Sequence, residues 1–249
     1  MAVTVEDVLL IMEELAPPEL AESWDNVGLL VNAGRPVSGI LTTLDITPAV
    51  IAEAAALGCT LIVSHHPVIF DPLKTLSAHD LPGLLLQSGV SAICMHTNLD
   101  AAAGGVNDTL ADILGIQSPT PFADGCGRIG TVEATTATAL AALCAQKLGA
   151  HVKYADAGRP VNRLAEVSGA GGSFWPEALR LGADCLITGE ANHHAGCDAL
   201  RSGLSLVVAG HWCTERPIAA VLANRLAAAL PEIPVRVSAA DADPYAYLS

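Results

Sequence analysis

An α/β protein with a largely parallel sheet, built from two related halves, is the fold class this sequence predicts. Three observations predict it. Short apolar, β-branched runs alternate with segments of helical period along nearly the whole chain. Capping residues open the helical segments and glycines follow their ends. Two stretches of the first half recur in the second half, in the same order.

Thr4 and Asp7 form a T-x-x-D start, and Val5, Val8, Leu9, Met12 and Leu15 continue as a helical stripe that Pro17-Pro18 stops. SGILTTLD (38–45) reads as a buried strand. Thr47 caps the next helix, with Pro48 in its first turn and Gly58 past its end. CTLIVS (59–64) is a strand that delivers His65 and His66. A helix near 80–88 ends at Gly89, the strand SAICM (91–95) follows, then HTNLD (96–100) and a helix near 107–114. SPTPFADGCG (118–127) is rich in Pro and Gly and reads as the boundary between lobes. Beyond it come the strand RIGTVEA and a helix near 137–148. RLAEVSG (163–169), DCLIT (184–188), LSLVVA (204–209) and VRVSA (235–239) are strands, with helices between them.

LGCTLIVSHH (57–66) aligns with LGADCLITGE (181–190), setting His66 opposite Glu190. GVSAICMHTNLD (89–100) aligns with GLSLVVAGHWCTE (203–215). Each of the second pair is a strand followed by a histidine and, four residues on, a carboxylate: His96 and Asp100, then His211 and Glu215. Both halves therefore contain a helix–strand–helix–strand unit with polar groups at the strand ends.

The chain has 249 residues, 51% hydrophobic and 15% charged, enough for a sizeable core. A net charge of −14 repels phosphate backbones, so nucleic acid is not the expected partner. No run approaches the length of a membrane span, and the acidic start MAVTVEDVLLIMEEL lacks the basic region of a secretory signal. The seven cysteines include no C-x-x-C pair, which disfavours a zinc ribbon and suits a reducing, cytoplasmic setting.

In open α/β sheets ligands bind beyond the carboxyl ends of strands. His65, His66, His96, Asp100, Glu190, His193, His194, His211 and Glu215 all follow apolar strands, and of the cationic residues only Arg216 joins them. Imidazoles and carboxylates without balancing positive charge call for a cation: zinc, manganese, iron or cobalt. Enough ligands are present for two metals sharing a carboxylate, an arrangement that activates water and clamps a substrate oxygen. Each cluster also has a plain structural reading. Two histidines after a strand make an ordinary polar loop, Glu215 suits a helix start, His193 and His194 read equally well as exposed, and SGAGG (168–172) is either an anion-binding loop or a tight turn. The convergence of four clusters on one topological location favours the metal. Neither G-x-S-x-G nor a P-loop is present.

SWDNVGLLV (23–31), IVSHHPVIF (62–70), HTNLD, DCLITGE (184–190) and GHWCTE (210–215), in this order, resemble the NIF-three-like family, whose members are labelled GTP cyclohydrolase 1 type 2 homologues. The resemblance covers nearly the whole chain. It implies two similar α/β lobes, about 1–120 and about 121–249, or with the C-terminal segment returning to the first lobe. It implies mostly parallel or mixed sheets, a cleft at the strand ends holding two divalent metal ions, and a homohexameric ring. Carried over by residue, the metal ligands are His65, His66, Asp100, His211 and Glu215, with Glu215 favoured as the bridge. His96, Glu190 and His194 become pocket groups that orient ligands or move protons, and Asp25 and Asn26 line the same cavity. Trp212-Cys213 departs from the residues usual there, and the chain lacks the domain some members insert between lobes.

The expected function is a dinuclear metal-dependent hydrolase of a small phosphorylated or heterocyclic metabolite, with GTP-type ring opening as the specific form. The alternative is a non-catalytic metal-binding ring serving as scaffold, metal store or regulatory partner.

Overall fold

The computed structural model describes residues 2–248. The chain divides into two compact units: Met1–Ala103 with Ile218–Ala242, and Gly104–Pro217 with Asp243–Ser249.

Unit one opens with α1 (Val5–Leu15), where the Thr4 side chain accepts from Asp7 N and the Asp7 carboxylate accepts from Thr4 N. This is the capping box expected of T-x-x-D. Next come β1 (Gly28–Val31), β2 (Ile40–Thr43), α2 (Pro48–Ala56), β3 (Leu61–Ser64), α3 (Leu81–Ser88), β4 (Ser91–Cys94) and the short α4 (Thr97–Ala101). Unit two carries α5 (Val106–Leu114), β5 (Gln117–Phe122), β6 (Gly127–Thr135), α6 (Ala137–Leu148), β7 (Lys153–Ala155), β8 (Val161–Val167), α7 (Trp175–Arg180), β9 (Cys185–Thr188), α8 (His193–Arg201), β10 (Ser205–Val208) and α9 (His211–Glu215). The chain then returns to unit one with α10 (Pro217–Ala229) and β11 (Val235–Val237).

Each unit has one mixed sheet. In unit one the order is β1-β4-β3-β2-β11, with β1 antiparallel and the rest parallel. In unit two the order is β5-β6-β8-β9-β10-β7, with a parallel β8-β9-β10 centre and antiparallel neighbours. The Pro/Gly stretch that reads as the boundary between lobes supplies most of β5 inside unit two, and the division between the units falls at Ala103/Gly104. A strand with two prolines pairs on one side only, and β5 is at the sheet edge. β1 and β7 are edge strands of four and three residues, too brief to show a period.

The internal repeat is written into the sheets. The series β1-β4-β3-β2 and β7-β10-β9-β8 share strand order and direction. Their register agrees as well. Leu61 pairs with Ser91 and Cys185 with Ser205, the residues that the two alignments equate. Met95 N donates to Ser64 O at 2.9 Å, and Ala209 N donates to Thr188 O at 2.8 Å, again at equated positions.

Strand alternation sorts the core of unit two. Cys185 and Ile187 face a layer with Leu140, Cys144, Leu110 and Leu114, whereas Leu186 faces Ala178, Ala199 and Leu204. In unit one Leu41, Ile62 and Ala92 pack on Val50, Ile51 and Ala54 of α2 and Leu85 of α3. Burying each large aliphatic side chain contributes about 1.5–3 kcal/mol. Both faces of the central strands are covered, so β3, β4, β9 and β10 are buried along their length. Only their carboxyl ends are left for chemistry.

Candidate metal centre

β3 ends at Ser64, and His65 and His66 come directly after it. The Ser64 hydroxyl donates to the His66 carbonyl at 2.8 Å, while His65 N and His66 N donate to Thr43 O and Leu44 O. The backbone is thus held by β2 while both side chains leave the pleat. His96, just after β4, has φ −105° and ψ −110°, outside strand geometry.

The three rings meet. Their centroids are 5.0 Å apart for His65–His66, 5.2 Å for His65–His96 and 5.7 Å for His66–His96. One ligand nitrogen from each lies within 4.8 Å of the other two. Every Nδ1 is engaged. His65 Nδ1–H donates to the Met95 carbonyl at 2.9 Å, His66 Nδ1–H to Asp45 Oδ1 at 2.8 Å, and His96 Nδ1–H to Asp25 Oδ1 at 2.8 Å. This fixes the tautomer and leaves coordination to Nε2, the usual arrangement behind metal-binding imidazoles. Asp100, in α4, places Oδ1 3.6 Å from His65 Nε2.

Asp25 is the anchor of the group. Its side chain is fully buried, and its second oxygen accepts from Thr97 N at 3.0 Å and from the Thr97 hydroxyl. Burial pushes its carboxyl upward, but hydrogen bonds from His96 and Thr97 outweigh this and hold it well below the usual carboxylate range.

Unit two has its own donor set. His211 and Glu215 lie one turn apart on α9, with His211 Nε2 3.0 Å from Glu215 Oε2. His211 Nδ1 is 3.3 Å from Glu190 Oε1, so the ring has a carboxylate on each nitrogen. Gly210, at φ +87°, is the extra residue of the second repeat and turns the chain from β10 into α9. Glu215 is buried against Gly169, where a Cβ would come within 2.0 Å of Glu215 Oε1. SGAGG is therefore a tight turn after β8 whose first glycine accommodates a carboxylate side chain.

The remaining residues fall into place individually. His194 is exposed in the first turn of α8, its ring 5.7 Å from that of His193. Asn26 Nδ2 donates to the Ile69 carbonyl at 2.6 Å, making it a loop tie. Cys213 is buried in the apolar core of unit two, and Trp212 lies under the Arg216 guanidinium at 4.8 Å. Sequence reasoning missed Asp45, and also Trp24 and Phe70, whose rings meet His96 edge-on. Asp45 carried a usable signal, since it ends the strand segment SGILTTLD much as the histidines end theirs.

The imidazole trio of unit one, with fixed tautomers and Asp100 close by, could hold a metal ion, and unit two brings His211 and Glu215 together with a glycine where Glu215 needs space. The fold and site define a mixed α/β protein with candidate metal-ligating clusters at its strand ends. Residues 3–244 match the family model Duf34/NIF3 (NGG1p interacting factor 3), and the chain belongs to that family. It is 32% identical to a GTP cyclohydrolase 1 type 2 homolog of Clostridium acetobutylicum, over 99% of this chain and all (100%) of that one. It is 34% identical to the GTP cyclohydrolase 1 type 2 of Helicobacter pylori, over 89% of this chain and 91% of that protein. A Staphylococcus aureus hypothetical protein of known crystal structure superposes with a TM-score of 0.89 at 27% identity, covering 100% of both chains.

Proposed function

We propose that the chain is a metal-dependent hydrolase acting on a small heterocyclic or phosphorylated metabolite, with ring opening of the GTP cyclohydrolase type as its specific form. The observation that carries this reading is the trio His65, His66 and His96, three imidazoles whose Nδ1 atoms are all held from behind. Relatives named GTP cyclohydrolase 1 type 2 support the reaction class.

In this reading His65, His66 and Asp100 of unit one, and His211 and Glu215 of unit two, are ligands of zinc, manganese, iron or cobalt ions. The trio gives His96 a place among the ligands too. Divalent ions, when bound, supply Lewis acidity toward a substrate oxygen. The chain supplies the rest. Asp25, Asp45 and the Met95 carbonyl keep the rings aimed. Glu190, more than half exposed and in contact with His211, carries protons between the site and solvent.

The test is elemental analysis and a substrate screen of protein loaded with each metal, beside Asp100→Ala and Glu215→Gln. Ring-opening or phosphate-releasing turnover that both variants lose supports the hydrolase. Stoichiometric metal with no turnover across nucleotides, pterins and phosphorylated metabolites refutes it and favours a metal-binding scaffold or store.

A further inference from the structure

Trp24 and Phe70 stand beside the three imidazoles of unit one. Their centroids are 5.7 Å apart with the planes tilted by 39°, and each meets His96 edge-on, at 6.2 Å for Trp24 and 6.5 Å for Phe70. They are 57% and 49% exposed. The chain has only three tryptophans and three phenylalanines, so placing one of each together in water is a costly use of its few large aromatics. Nor is the pair a loose surface feature. Asp25 N donates to Glu22 O at 2.9 Å to form the turn that carries Trp24, and Asp25 itself is buried under His96 and Thr97. Asn26 Nδ2 ties that turn to the carbonyl of Ile69, the neighbour of Phe70, at 2.6 Å. Both rings are therefore positioned in advance of any ligand.

We propose that Trp24 and Phe70 form a stacking platform for a planar nitrogen heterocycle whose polar edge is turned toward the imidazole cluster. This deepens the metal-dependent reading and rests on it for the role of that edge. Two observations select the occupant. A group that covers the two rings also abuts His96, and an aliphatic or protein surface there would strip water from the imidazole edges without replacing its hydrogen bonds. A heterocycle offers ring nitrogens and carbonyl oxygens at that edge while its face rests on the aromatic pair. The carboxylates of Asp25, Asp45 and Asp100 stand against these imidazoles, and side chains of that charge do not favour a phosphate beside them.

The test is calorimetric titration of the full chain, metal-loaded and metal-free, with guanosine, adenosine and uridine, and with ribose 5-phosphate as the non-aromatic control. Metal content is measured on every sample. Nucleoside binding that Trp24→Ala and Phe70→Ala each weaken by about 10- to 100-fold, with metal content and circular dichroism unchanged and Trp24→Phe largely restoring affinity, supports the platform. It is overturned if no nucleoside binds, if ribose 5-phosphate binds equally well, or if the folded alanine variants bind as tightly as the parent. Trp24-dependent nucleoside binding in a chain that takes up no metal keeps the platform and removes the metal reading. Full metal uptake without nucleoside binding does the reverse.

Discussion

His96 and Asp25 lie 2.8 Å apart, Nδ1 to Oδ1, and the other oxygen of that carboxylate takes both the backbone and the hydroxyl of Thr97. One buried side chain thus sets the ring of His96 and the start of α4, which also carries Asp100. Asp25→Asn keeps the shape but weakens the acceptor. We expect metal affinity to fall by about 10- to 100-fold, measured by competition with a chromogenic chelator, with little change in the far-ultraviolet circular dichroism.

Gly169 combines φ +54° with a Cβ position 2.0 Å from Glu215 Oε1. Gly169→Ala is expected to cost about 1–2 kcal/mol for the left-handed backbone alone, and more for displacing Glu215. Guanidinium unfolding should show the loss of stability, and metal titration a parallel loss of affinity. Unchanged affinity in the folded variant would mean that Glu215 is not a ligand.

Glu53 joins α2 to the segment after β11. Its carboxylate accepts from the Ser238 hydroxyl, from Ala239 N at 3.0 Å and from Ala240 N at 3.1 Å. Burial raises its pKa, but these three bonds outweigh it and lower the net value. A depressed folded-state pKa contributes stability that is present above the unfolded glutamate value of about 4.3 and is lost as pH falls through the folded value. Glu53→Gln should lose about 1 kcal/mol at neutral pH, a modest figure because the carboxylate is only partly buried and solvent screens it. Thermal melts of the two proteins should converge on acidification.

Cysteine reactivity should follow burial. Cys197 is exposed, whereas burial pushes the Cys144 thiol up to about 12 and raises Cys94 and Cys185 as well. At mildly alkaline pH an aromatic disulfide reagent should label Cys197 in the native protein and reach Cys94, Cys144 and Cys185 only on unfolding. Mass spectrometry of labelled peptides checks the order, and Cys197→Ser should remove the fast phase.

Much of this architecture is legible in the sequence because the central strands are short, apolar and bounded by capping residues and glycines. Thr4, Thr47, Gly58 and Gly89 all do what their residue types suggest. The repeat is legible for the same reason: both copies keep the Leu-Gly before the strand and a polar group after it. Edge strands are harder. β7 is three residues long, and β5 hides behind its prolines. At the site, the rings of His65 and His66 are visible in sequence, but their shared approach to His96 is not. It depends on ψ −110° at His96 and on a carboxylate 71 residues upstream. Trp24 and Phe70 look like ordinary core residues until their exposure is known.

The return of the chain to unit one has a consequence for synthesis on the ribosome. β11, which covers the outer edge of β2, is made roughly 190 residues after β2 leaves the peptidyl-transferase centre. At about 5–20 residues per second that delay is on the order of ten seconds or more. Throughout it, the backbone amides and carbonyls on one side of β2 lack their native neighbour and offer a template to any passing strand. Gly104–Pro217, a single unbroken stretch, emerges well before β11. The nascent chain therefore presents an unpaired strand edge along Ile40–Thr43 until Val235–Val237 has been translated.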